Sequence, residues 1–220
     1  MESISKNPQI AERCGKLHGL CNSAIKFYFP LDFNKLPLNG IYVMFQKNEQ
    51  AHDGERIVRV GTHTGQNQLQ SRIKQHFLKE NKDRSIFRKN IGRCLLKIRN
   101  DAYFDIWDLD STTKDSKAAN AGIRDLAFEQ ALENEITAYI QENFHFCVIK
   151  AEEKEIRLEI ESRIASTVSL CGVCAPSKQW LGLFSPKERI RESGLWQVNE
   201  LYKEPLSDCD LEYISKNLLY

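Results

Sequence analysis

The fold turns on Asn39-Gly40-Ile41-Tyr42-Val43-Met44-Phe45 and on a second run close behind it, Arg56-Ile57-Val58-Arg59-Val60-Gly61. Asn-Gly is turn chemistry, and the β-branched and aromatic residues after it start a strand. The second run has the same character and stops at a glycine. The polar stretch 47–54 between them closes on Asp53-Gly54, as a tight hairpin does. The spacing predicts antiparallel strands over 41–46 and 56–61. Tyr42 then lies early on the first strand and Gly61 ends the second, so pairing brings both to one end of the sheet. The polar loop 62–68 emerges there too, which makes a site at that end geometrically possible.

Outward from the hairpin, apolar residues at helical spacing predict a helix over 9–28 (Ile10, Cys14, Leu17, Cys21, Ile25, Tyr28), and prolines break it before the first strand. Helices are expected over 69–79 and 86–97. Residues 100–124 have the composition of a loop. A helix over 125–142, a third strand at 145–150 and a charged helix over 153–170 follow. The C-terminal part carries a Cys171-Gly-Val-Cys174 turn, a short helix opened by Pro186, and a last helix near 208–219, with Trp180, Phe184 and Trp196 expected to pack it onto the core. The element order indicates α+β: a small, mainly antiparallel three-stranded sheet flanked by helices. The expected divisions are a helical extension at 1–37, a core at 38–170 interrupted by a helical insertion at about 80–140, and a C-terminal segment at 171–220 packed on the core.

At 220 residues, 41% of them hydrophobic, the chain can bury a substantial core. Seven scattered cysteines, an odd number, argue against a secreted disulfide framework. No stretch approaches the ~18 apolar residues of a membrane span and the N-terminus has no secretory pattern, so a soluble cytoplasmic protein is expected. A net charge of +1 hides an asymmetry. Residues 72–99 hold ten Lys or Arg against Glu80 and Asp83, whereas 100–143 hold ten acids against three bases. The basic block suits a polyanion such as a nucleic-acid backbone. The acidic segment could pack against it, or shield it until a nucleic acid displaces it.

Gly40-Ile41-Tyr42, the second strand ending at Gly61, the Arg72-x-x-x-His76 pair of "SRIKQHF", and Glu161 in "LEIESRIAS" after the third strand stand in one order. Together they resemble the GIY-YIG nuclease superfamily over roughly residues 38–170. The second motif departs from the family's, because Arg59 stands where its tyrosine is usual. His63, two residues past Gly61, or Arg59 itself is the substitute considered for that phenol. Asn199 is a candidate for the asparagine that braces the family's site. The segments "VGTH", "RIKQH", "SIFRKNIG", "WLG" and "SGLW" also resemble a bacterial branch of the superfamily.

The resemblance implies a divalent-metal-dependent endonuclease that hydrolyses phosphodiester bonds, with restriction or defence as a possible setting. Glu161 would hold Mg²⁺ or Mn²⁺, an ion that accepts few carboxylates. Arg72 would face a phosphate oxygen. Tyr42 would accept or orient the proton of the attacking water, and His76 would relay a proton or bind phosphate. DNA is the expected partner, no membrane is involved, and a homodimer on DNA would allow two cuts. Lys74, Arg84, Arg88, Lys89 and Arg93 would track the neighbouring backbone.

Alternatives remain open at the residue level. Glu159 rivals Glu161 from a different helix face, and His18, His52 and His145 carry no motif and read as structural. Cys171 and Cys174 could form half of a zinc site, but Cys14 and Cys21 flank His18 on a helix and Cys209 stands alone, so a turn with two packed thiols is the simpler reading. A nucleic-acid-binding module that has lost catalysis, or a partner-binding protein, competes with the enzyme.

Overall fold

The computed structural model describes residues 7–220. Its elements in order are α1 (Pro8–Ser23), β1 (Gly40–Ala51), β2 (Gly54–Gly61), α2 (Leu69–Phe77), α3 (Ile86–Arg99), α4 (Phe104–Trp107), α5 (Lys114–Asn120), α6 (Leu126–Asn143), β3 (Phe144–Lys150), α7 (Lys154–Leu170), α8 (Glu188–Ser193) and α9 (Asp208–Asn217). The sheet has three strands and its first pair is antiparallel, as the sequence predicts; the order is β2-β1-β3 and β3 is antiparallel to β1 as well. Among the described residues no helix is long and apolar enough to cross a membrane.

The hairpin is longer than expected because the polar stretch continues the strands, and only His52 and Asp53 form the turn. Both have positive φ (51° and 60°), the backbone of a two-residue type I′ connection. The 100–124 segment, expected to be irregular, contains α4 and α5. Trp107 of α4 is fully buried and donates its indole N–H to the Lys89 carbonyl. Trp107 pins the segment against α3, together with Phe104 under Lys97.

Strand alternation divides the core in two. Ile41, Val43, Phe45, Cys147 and Ile149 face a layer built from α1, α7 and α9. Tyr42, Met44, Phe146 and Val148 face the opposite layer, from α2, α3, α6 and the tryptophans Trp180 and Trp196. Both indoles donate to one acceptor, Gln46 Oε1, at 3.0 and 2.9 Å. Phe184, expected beside them, is instead 47% exposed.

A bulge in β2 shapes the site. Met44 pairs with Arg59 and Phe45 with Ile57, so Val58 is left over. Strict alternation would put Val58 and Arg59 on opposite faces. The extra residue lets both join the Tyr42 layer, with the Arg59 guanidinium 5.1 Å from the centre of the Phe87 ring. β2 is an edge strand, and the segment after α8 covers it: Trp196 N–H donates to the Val58 carbonyl, and Val60 N–H to Gln197 Oε1.

Candidate active site

Tyr42 pairs with Gly61, and the contact explains that glycine. A Cβ at Gly61 would stand 2.1 Å from the Tyr42 hydroxyl, so any side chain there displaces the phenol. Gly40 answers a similar constraint, since a Cβ would fall 2.6 Å from the Ile149 carbonyl oxygen. The loop after β2 is tied back to the start of β1. Thr62 Oγ1 donates to the Gly40 carbonyl, and Asn39 bonds Asn67 through both its amide nitrogen and its oxygen.

Tyr42 and His76 are both fully buried, with the hydroxyl 2.9 Å from His76 Nε2. His76 Nδ1 lies 2.8 Å from Ser85 Oγ, the hydroxyl that also caps α3 by accepting from Arg88 N–H. Burial pushes the His76 pKa well below its ordinary value, and the nearby Arg72, Arg59 and Arg88 push it further. The ring is therefore neutral at pH 7, with one nitrogen a donor and the other an acceptor.

A cleft of about 200 Å³ opens beside this pair, lined by Arg59, Arg72, Asn90, Glu161, Gln197, Asn199 and Glu200. Four of the residues singled out from the sequence (Arg59, Arg72, Glu161 and Asn199) meet in it. Glu161 arrives from α7, on the far layer, and Arg72 from α2, so the cleft straddles the β2 edge. Burial raises the Glu161 pKa to about 7 against the pull of Arg59, Arg72 and the Thr62 N–H, with Glu200 adding to the rise. Glu200 itself is held below the carboxylate range, first by Lys203 and then by Ser162. Glu159 is exposed and pairs with Arg163 at 2.7 Å, away from the cleft.

The two arginines are partnered by neutral groups only. Arg72 Nη1 donates to Gln75 Oε1 (2.9 Å) and the Arg84 carbonyl (3.2 Å). Arg59, 5% exposed, donates Nη1 to the Trp196 carbonyl, and its Nε is buried without any partner. Guanidinium groups held this way keep their charge for an incoming anion.

A GIY-YIG domain model matches residues 22–217. The chain belongs to the GIY-YIG family. That family is one of nucleases acting on nucleic acid, typically with a divalent metal ion. The match takes in the last sixteen residues of the expected N-terminal extension and nearly all of the C-terminal segment, beyond the stretch in which the motifs are visible. No curated protein and no solved structure matches the chain.

Two GIY-YIG site assignments meet difficulty in the geometry. His63 does not line this cleft. Its Nε2 accepts from Gly40 N–H at 3.4 Å, so Nδ1 carries the proton and donates to the Gly65 carbonyl at 2.6 Å. With both nitrogens engaged by backbone, His63 braces the loop and has no lone pair to offer in place of the missing phenol. Tyr42 also lies outside the cleft lining, beneath Gly61.

The basic block is corrected more sharply. Arg88 is fully buried and pairs with Glu133 at 2.6 Å, while also donating to the His76 and Glu133 carbonyls. Arg93, 6% exposed, pairs with Asp108 at 2.6 Å. Lys89 donates to the Asp108 carbonyl and lies 3.8 Å from Asp83. These three cations serve the packing of α3 against the acidic segment rather than a surface. Of the five expected backbone contacts, Arg84 is exposed and Lys74 is half-buried over the Phe33 ring. A larger cleft of about 440 Å³ near Arg84 mixes Glu80, Asp83 and Glu129 with Lys82 and Arg124, so it has no single sign to attract a polyanion. A polar cleft of about 310 Å³, lined by Thr62, His63, Thr64, Gln68, Ser71 and Gln75, shares Arg72 with the candidate site, so His63 borders the adjoining groove through its braced loop.

Sequence reading missed Ser85, Asn90, Gln197 and Glu200. Ser85 carried a signal, as a helix-capping residue directly before Ile86. The others depend on the long-range contact of the 194–200 segment with β2 and α3, which no local pattern reports.

Proposed function

We propose that the cleft between β2, α2 and α7 hydrolyses phosphodiester bonds in DNA, with a divalent cation held by Glu161. The observation that carries this is the convergence of Arg59 and Arg72, neither paired with a carboxylate, on a half-buried glutamate. The donors Glu161, Glu200 and Asn199 are hard oxygens in an open cleft, a set that suits Mg²⁺ or Mn²⁺ retaining most of its waters. When bound, such an ion would supply positive charge to the phosphate and the leaving oxygen. Arg72 would hold a non-bridging phosphate oxygen from the groove side. Arg59, rigid against Phe87, would act as preorganised charge on the opposite wall, filling with a cation the place where the family usually has a phenol. Asn199 would fix the Glu161 wall. The Tyr42–His76 pair would take up the proton of the attacking water, which requires the Gly61–Thr62 corner to admit that water to the hydroxyl. Lys74 and Arg84 would contact the flanking backbone, and two copies on one duplex would cut both strands.

The complete burial of Tyr42 favours one competing reading, a DNA-binding module on this fold that no longer cleaves. Supercoiled plasmid incubated with the protein and Mg²⁺ separates them. Nicked or linear product from the wild type, lost in Glu161→Gln and Arg72→Ala, is the expected result. Discrete fragments would further support a sequence-specific restriction or defence enzyme. A plasmid that is bound and never cut, in Mg²⁺ or Mn²⁺ and across DNA substrates of varied sequence, would overturn the nuclease reading in favour of the binding module.

A further inference from the structure

On the sheet face away from the Tyr42 layer, Cys14 of α1, His52 of the hairpin turn, and Cys171 and Cys174 of the turn after α7 converge. Their four ligand atoms all lie within 4.8 Å of one another. Cys14 Sγ is 3.4 Å from Cys174 Sγ, and His52 Nε2 is 3.3 Å from Cys171 Sγ. We propose that these four residues bind a structural zinc ion that clamps α1, the β1–β2 hairpin and the C-terminal segment together.

The geometry suits that ion. A tetrahedron with Zn–S bonds of ~2.3 Å has sulfur–sulfur edges of roughly 3.8 Å, close to the observed separations. A disulfide needs its sulfurs at ~2.05 Å, so the pairs stand at ligand spacing and not at bonding distance. Cys171-Gly172-Val173-Cys174 has the two-residue spacing of a zinc knuckle, and its turn is closed by Cys174 N–H donating to the Cys171 carbonyl at 3.2 Å. The three sulfurs are buried, between 0% and 7% exposed. Three thiols and an imidazole packed this closely gain little from one another as weak hydrogen-bonding groups, whereas a borderline-soft cation satisfies all four. The donor set is closed, with four protein ligands and no position for a substrate, which makes the site structural.

His18 lies close by, with Nδ1 3.6 Å from Cys14 Sγ, yet it is not a ligand. Its Nε2 accepts from Ile57 N–H (3.2 Å), so Nδ1 carries the proton and donates to the Cys14 carbonyl (2.9 Å). It instead orients the backbone of a ligand-bearing residue, as outer-shell groups do. His52 faces α1 at Gly15, where a Cβ would come within 3.3 Å of its Nδ1. The sequence presented only the knuckle. Its partners lie on a helix and a hairpin turn more than a hundred residues earlier, so chain spacing cannot pair them.

The test is metal analysis of the full-length protein purified without chelator. About one zinc per chain is expected in the wild type and in Cys209→Ser, whose thiol is exposed and is not one of the four converging ligands. Cys174→Ser and His52→Ala should retain less than about a tenth of it. Glu161→Ala should keep its zinc, which separates this site from the catalytic cleft. Since the ligand variants could fail to fold, Co²⁺ is also exchanged into the wild type, where thiolate-to-cobalt charge-transfer absorption and intense tetrahedral d–d bands are expected. Wild-type protein free of zinc and giving no thiolate–cobalt band, a Cys14–Cys174 disulfide in the native protein, or zinc lost with Glu161 and kept in Cys174→Ser would each overturn the proposal.

Discussion

Replacing Glu161 by Gln should make the protein more stable and less active, with a pH dependence that reports the cause. Burial raises this carboxyl from the ordinary 4.5 to about 7, so the fold prefers the neutral acid. Below pH 4.5 the group is protonated in both folded and unfolded chains and contributes nothing. Between 4.5 and 7 the folded chain holds a proton that the unfolded chain has released, and stability falls as pH rises. Above 7 the loss is complete. A shift of this size corresponds to about 3 kcal/mol. The carboxylate is only half-buried, and water at the cleft mouth should reduce the effect to about 2 kcal/mol. Gln has the neutral acid's shape without its titration. Urea unfolding in Mg²⁺-free buffer, without a chelator that would also strip zinc, should show Glu161→Gln more stable by that amount at pH 8 and equal to wild type at pH 4. Adding Mg²⁺ at pH 8 should stabilise the wild type and close the gap. A wild type more stable than the variant at pH 8 in Mg²⁺-free buffer would refute the reasoning, because it would mean Arg59 and Arg72 outweigh burial.

Arg59→Met should leave stability within about 1 kcal/mol of wild type or raise it, because a buried guanidinium with an unpartnered Nε gives way to an apolar side chain. Plasmid cleavage should nevertheless fall at least about a hundredfold, as for loss of a preorganised charge. Glu133→Ala leaves Arg88 buried and unpaired and should cost about 3–5 kcal/mol in urea unfolding. Arg88 itself, as Arg88→Met, should not alter the salt dependence of DNA binding, whereas Arg84→Ala should flatten that slope by about 1. Gly61→Ala drives a methyl group into the Tyr42 phenol and should destabilise the fold by about 1–3 kcal/mol while abolishing cleavage, read by thermal unfolding and the plasmid assay.

The hairpin, the α2 pair and α7 were legible because each rests on a local rule. Asp53-Gly54 marks the hairpin to within one residue of the His52-Asp53 turn, Arg72 and His76 share a helix face by spacing, and Ile156, Ile160, Ile164 and Val168 mark the buried side of α7. The fate of the basic block was not legible. Whether Arg88 meets a phosphate or Glu133 depends on how α6 returns across α3, and charge counting is blind to that. The β2 bulge was equally hidden. "RIVRVG" contains no glycine or proline at Val58 to mark an extra residue, yet the bulge is what turns Arg59 toward Phe87. Loop 62–68 was placed at the right end of the sheet, but only the backbone partners of His63 reveal that it is a brace.

The cover on the β2 edge bears on how the molecule is made. Gln197 and Asn199 wall the cleft, and their segment supplies the partners of Val58 and Val60. Both follow Gly61 by more than 130 residues, so β1, β2 and α2 are synthesised well before them. A nascent chain therefore carries an open strand edge and an incomplete cleft until those residues emerge and dock. A chain that stops short of Trp196 would leave that edge bare and the cleft without its Gln197 and Asn199 wall.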